Sequence, residues 1–206
     1  MLTKFFFSGF LVWAPFVISG LIILILIAKK LIPNYKYLKF LKKISTIKLA
    51  YIVIALTFLF NVLLTVIQYF VWHNSPFAHF FLPPFTPINY FLGYIFLHFW
   101  FSIILSFVFS LIFYFIFTLI KKYRDDVVNR EELPLILLAS LLVGWPKFVV
   151  FVPTFFLVAL IFSISNLLVF KKKNNSLSWP LIISLIIVFL GGTYLINLLS
   201  LSVLII

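Results

Sequence analysis

The chain has no cysteine, six glycines, one methionine and only four acidic residues among 206. Without thiols it can form neither a disulfide nor a thiolate metal site. Its acids, Asp125, Asp126, Glu131 and Glu132, all lie in one short segment, so no carboxylate pair can be drawn from two distant helices. There is no glycine-rich phosphate loop with its Lys-Ser/Thr partner, no Gly-x-Ser-x-Gly and no Ser/His/acid set. Charge is scarce as well: 10% of residues are charged, against about 25% in an ordinary soluble domain. With 65% of the chain apolar, a water-soluble fold of this length has too little interior to hide that surface.

What is present is a series of apolar runs, each long enough to cross a hydrocarbon layer of roughly 30 Å. The expected fold is all-α: a polytopic membrane protein of six transmembrane helices forming a single domain over residues 1–206. The first span is Phe5 to Ala28, too long for a signal-peptide core and ended by Lys29-Lys30. Leu49 to Trp72 is the second. Residues 73–89 carry Pro76, Pro83, Pro84 and Pro87 without lysine or arginine, which predicts an external non-helical loop. Tyr90 to Ile120 is the third span, longer than needed and therefore tilted or overhanging.

The stretch from Leu133 to Phe170 is flanked on both sides by positive clusters, so it must cross an even number of times. A reversal at Gly144-Trp145-Pro146-Lys147 divides it into a short fourth helix, Leu133 to Trp145, and a fifth, Phe148 to Phe170, forming a hairpin. The short arm either thins the bilayer or is re-entrant. The last span is Leu177 to Ile206, with Gly191-Gly192 in its middle allowing close helix approach or a bend.

The formal charge of +12 would suggest nucleic acid in a soluble protein. Here the basic residues lie between apolar spans, so anionic lipid headgroups are the expected partner and nucleic acid is not. Residues 29–48 hold seven lysines, against Lys4 alone before the first span. The positive-inside rule then places the protein in the cell membrane with the N-terminus outside and the basic loops cytoplasmic. All basic residues but Lys4 and Lys147 fall on the cytoplasmic side. Within that first loop, Lys36, Lys39, Lys42 and Lys43 mark a membrane-surface segment, either a short amphipathic helix or a solvated basic loop.

Buried polar residues offer few sites. Asn61 and Gln68 are seven apart and share a face of the second span; Ser102, Ser106 and Ser110 step by four along the third. Helix packing is the first use for both sets, and a polar pathway the second. His73, His79 and His98 lack an acid or cysteine to complete a metal site, so interfacial hydrogen bonding is expected of them. The 29 phenylalanines read as lipid-facing bulk, and no cofactor is implied.

Two stretches carry a resemblance. Leu26-Ile27-Ala28-Lys29-Lys30-Leu31-Ile32-Pro33-Asn34 resembles the D-x-x-x-x-x-[IL]-P-[ND] segment of the type IV prepilin peptidases, which are intramembrane aspartyl proteases. Glu131-Glu132-Leu133, running through Leu138-Ala139-Ser140 to Gly144-Trp145-Pro146, resembles that family's G-x-G-D-x-K stretch with its short helix and Gly-Trp-Pro turn. The family's minimal members share the layout of six spans. On this alignment the first catalytic aspartate falls on Leu26 and the second on Glu132, with Asn129 and Glu131 replacing the glycines and Pro134 the lysine. The aspartyl mechanism needs one protonated and one ionised carboxyl facing each other. The resemblance therefore implies a degenerate member with no catalytic residues, Glu132 being the one candidate.

The expected function is a non-catalytic scaffold or partner in a membrane assembly. Glu131 and Glu132 are interaction candidates, and other membrane proteins are potential partners. The alternatives are an active prepilin peptidase and a small transporter subunit using the Asn61/Gln68 face.

Overall fold

The computed structural model describes residues 2–31, 45–124, 127–170 and 176–201, and the side chains of these apart from 2–14, 169 and 170. Lys36, Lys39, Lys42 and Lys43 lie outside the described residues, as do Asp125 and Asp126. Every described element is helical. Helix α1 is Leu2–Leu31 and α2 is Thr46–His73. After a 3-10 turn at Ala78–Phe81 come α3, Ile88–Ile95, a π-helical turn, Phe96–Trp100, and α4, Phe101–Tyr123. Then follow α5, Leu133–Val143, α6, Phe148–Ser165 with a second π turn to Phe170, and α7, Ser178–Leu198.

Four of these helical stretches are long and apolar enough to cross a membrane: α2, the continuous Ile88–Tyr123, Phe148–Leu168 and α7. Of the other two expected spans, α1 is 30 residues long, but half its side chains lie outside the description. The short arm α5 has 11 residues, stopping two before Trp145. It rises only about 16 Å, half of a hydrocarbon layer.

That short helix is nonetheless the centre of the molecule. Leu135, Ile136, Leu138, Ala139, Ser140, Leu142 and Val143 are buried, so α5 is enclosed nearly all round, as a uniformly apolar helix must be. It packs against α2, α4 and α7, while α6 and α7 form the most extensive helix pair. Part of the phenylalanine content belongs to this core and not to the lipid face. Phe113 and Phe117 of α4 meet Phe148, Phe151 and Phe155 of α6, with ring centroids 5.6 Å apart for Phe113–Phe148 and 5.8 Å for Phe117–Phe155. All four of these pairs are edge-on at 68–89°, the arrangement that ring quadrupoles favour. A separate aromatic group joins the far end of α2 to α3, where Trp72 packs on Phe91 and Tyr94.

The reversal after α5 sits beside the middle of the Ile88–Tyr123 stretch, and the serines of α4 account for it. Ser106 Oγ accepts the Trp145 backbone N–H at 2.6 Å, and Ser102 Oγ donates to the Trp145 carbonyl at 3.4 Å. Phe148 N–H closes the turn on the Gly144 carbonyl at 2.9 Å. Gly144 itself has φ +66°, a conformation that side-chain-bearing residues resist. The serine stripe thus holds a backbone reversal whose polar groups hydrocarbon could not satisfy. Ser110, one step further along, is fully buried with no hydrogen-bond partner for its hydroxyl among the described residues.

Ser106→Ala should lower unfolding stability in detergent by about 1–3 kcal/mol, because it removes the hydroxyl that accepts the Trp145 N–H. Ser110→Ala should be neutral or slightly stabilising. Thermal or urea unfolding of the two variants side by side tests the assignment, and equal losses would contradict it.

Candidate functional site

Glu132 is 2% exposed, the one acidic side chain buried among the described residues. It sits immediately before α5, where Glu132 N–H bonds the Asn129 carbonyl at 3.0 Å and its own carbonyl accepts Ile136 N–H at 2.9 Å. Its carboxylate points across to the start of α7. Oε1 accepts the Ser178 backbone N–H at 3.2 Å, the Ser178 hydroxyl at 3.1 Å and the Ser176 hydroxyl at 2.8 Å. Oε2 takes the Asn129 backbone N–H at 3.0 Å.

The residue preceding α7, Leu177, has no side chain that can cap a helix. Glu132 supplies the missing acceptor, and its charge meets the positive end of the helix dipole. In the sequence Glu132 directly precedes its own helix, which begins at Leu133. The structure directs the carboxylate to a different helix, and Ser176 and Ser178 were missed altogether. A serine pair immediately before the last apolar run was the available signal.

Glu131 is exposed, and its charge acts on Lys29, which lies just past the apolar run of α1. Burial pulls the Lys29 ammonium below the ordinary lysine value, and Glu131 opposes that shift. Lys29 Nζ also donates to Thr46 Oγ1 at 3.3 Å, tying the end of α1 to the start of α2. Leu26, one turn back along α1, is 4% exposed and belongs to the same core as Val128, Leu135, Leu181 and Ile182. Lys29 and Glu131 thus lie near each other at one end of the bundle, with Leu26 buried in the core one turn earlier in α1.

The other candidates are locally engaged. Asn61 is buried and donates to the Thr57 carbonyl of its own helix at 2.8 Å. Next to it, Thr65 accepts the Trp100 indole N–H at 3.2 Å, which fastens α2 to the π turn. Gln68, though seven residues on, is only half-buried. A cavity of about 550 Å³ between α2, α4 and the turn is lined by Thr57, Ser102 and Ser106 among apolar side chains, and not by Asn61 or Gln68. His79 and His98 donate from Nδ1 to the carbonyls of Ser75 and Tyr94, at 2.9 and 3.0 Å. No cluster of three or more potential metal ligands occurs among the described residues.

No family model matches the chain, and no curated protein or solved structure matches it either.

Glu132→Ala should destabilise the protein by about 2 kcal/mol, the scale of a lost cap together with a favourable dipole contact. Glu132→Gln keeps an acceptor and should lose less, and Glu131→Ala should change stability by under about 0.5 kcal/mol. Unfolding midpoints in one detergent rank the three; a Glu131 effect as large as that of Glu132 would refute the capping role.

Proposed function

We propose that this chain is a non-catalytic membrane protein of prepilin-peptidase-like architecture that serves as a scaffold or partner in a membrane assembly. In this reading it has six membrane segments, of which α5 is re-entrant. The N-terminus is outside, and the lysine-rich end faces the cytoplasm and its anionic headgroups.

One observation carries the proposal. The one buried carboxylate among the described residues is engaged as a helix cap, with Oε1 and Oε2 both hydrogen-bonded. Aspartyl proteolysis needs two carboxyls sharing a proton around a water, each free to change protonation. Here the position facing Glu132 on the resemblance is Leu26, and Lys29 rather than an acid attends Glu131. The juxtaposition of the α1 end with the Glu132 segment supports the architectural half of the reading; the missing acid supports the non-catalytic half. The transporter alternative draws less support, because Asn61 bonds within its own helix.

Reconstituted in vesicles with a prepilin-like peptide, the protein should produce no cleavage between about pH 4 and 8, and Glu132→Gln should leave that null result unchanged. Cleavage that disappears in Glu132→Gln would overturn the proposal in favour of an active peptidase.

A further inference from the structure

Lys147 stands apart from the other cations. Among the residues with described side chains, the remaining lysines and arginines sit at the end of the bundle shared by Lys29, Lys48, Lys121 and Arg130, whereas Lys147 lies in the turn beyond α5. Its stem crosses α7 at Gly192, where a Cβ would come within 3.1 Å of Lys147 Cδ and 3.2 Å of Val188 Cγ1. Gly192 is thus the residue that lets the lysine lie down. That point is about 21 Å along α7 from Ser178. The side chain borders a recess of about 240 Å³ formed by Pro15, Phe16 and Ser19 of α1, Leu142 and Val143 of α5, and Phe189 of α7. Phe16 stacks on Phe189 with centroids 4.5 Å apart and joins α1 to α7 beside it. The neighbouring Gly191 faces open space, with nothing within 4 Å of an added Cβ.

Among the described residues no acidic side chain lies beside that cation. Glu131 and Glu132 precede α5, about 16 Å away at its other end. An ammonium at this depth calls for a counter-charge. Lipid phosphates lie at headgroup level, whereas α2 continues roughly 24 Å beyond Thr57, one of the residues that line the cavity beside the turn. A carboxylate carried on another membrane-spanning helix is delivered at the right depth, and Gly191 leaves room for a close backbone approach.

We propose that Lys147, seated on Gly192 between α1 and α7, is the docking point for a carboxylate borne near the middle of a partner protein's transmembrane helix. This rests on the scaffold reading and names the chemistry of its partner.

The absence of native cysteine makes the test direct. The full chain carrying Tyr194→Cys, a position 69% exposed on α7, is labelled with an acceptor dye and placed in phosphatidylcholine vesicles. It is titrated with a donor-labelled Leu/Ala transmembrane peptide holding one central Glu, or with its Gln twin. The Glu peptide should associate about tenfold more tightly than the Gln peptide. Lys147→Met should abolish the difference, and Lys147→Arg should retain it. Lys147→Met removes a charge from the apolar region, so it should remain folded, which its unfolding midpoint checks. Equal association of the two peptides, or a preference that survives in Lys147→Met, would overturn the proposal. So would Lys147-dependent enrichment of phosphatidylglycerol without peptide discrimination, which would assign the cation to lipid. Cleavage of a prepilin-like peptide by the same vesicles would instead remove the non-catalytic reading while leaving the docking preference standing.

Discussion

The structure depends on polar contacts that anchor the segments flanking one short buried helix. Hydrocarbon supplies none, and α5 is too brief to carry both of its ends to water. At its beginning a carboxylate engages the first turn of α7; at its end two serines of α4 take the N–H and the carbonyl of Trp145. These polar contacts fix the height of α5 against its neighbours. The apolar packing around Ile136, Leu138 and Ala139 can then be dense without being free to slide.

Much of this arrangement was legible in the chain. The reversal at Gly144-Trp145-Pro146-Lys147 follows from glycine and proline chemistry together with the positive clusters on either side, and it is where the structure turns. The starts of α5 and α6 at Leu133 and Phe148 were read correctly for the same reason. Helix packing was the first use assigned to the four-residue serine spacing; Ser102 and Ser106 instead bond the backbone of the turn at Trp145. What could not be read was direction. A carboxylate at Glu132 has the same local sequence whether it caps its own helix or reaches one whose start lies 46 residues later.

The phenylalanines illustrate a second limit. In lipid-exposed helices the outward face is as apolar as the inward one, so the periodicity that reveals a core face in water is nearly silent. Phe113, Phe151 and Phe155 are buried, while Phe58, Phe107 and Phe156 face outward, and nothing in their immediate neighbours separates the two groups. Only tertiary contact sorts them. The same holds for Lys147, whose place in the turn was legible but whose bed on Gly192 was not.

The cap on α7 also has an order in time. Glu132 leaves the ribosome before Ser176 and Ser178, so the acceptor exists before its donors arrive. Until the last helix is threaded, a carboxylate destined for the interior has only the Asn129 amide to hold it. Closure of the bundle by α7 and completion of the hydrogen bonds to that carboxylate therefore coincide.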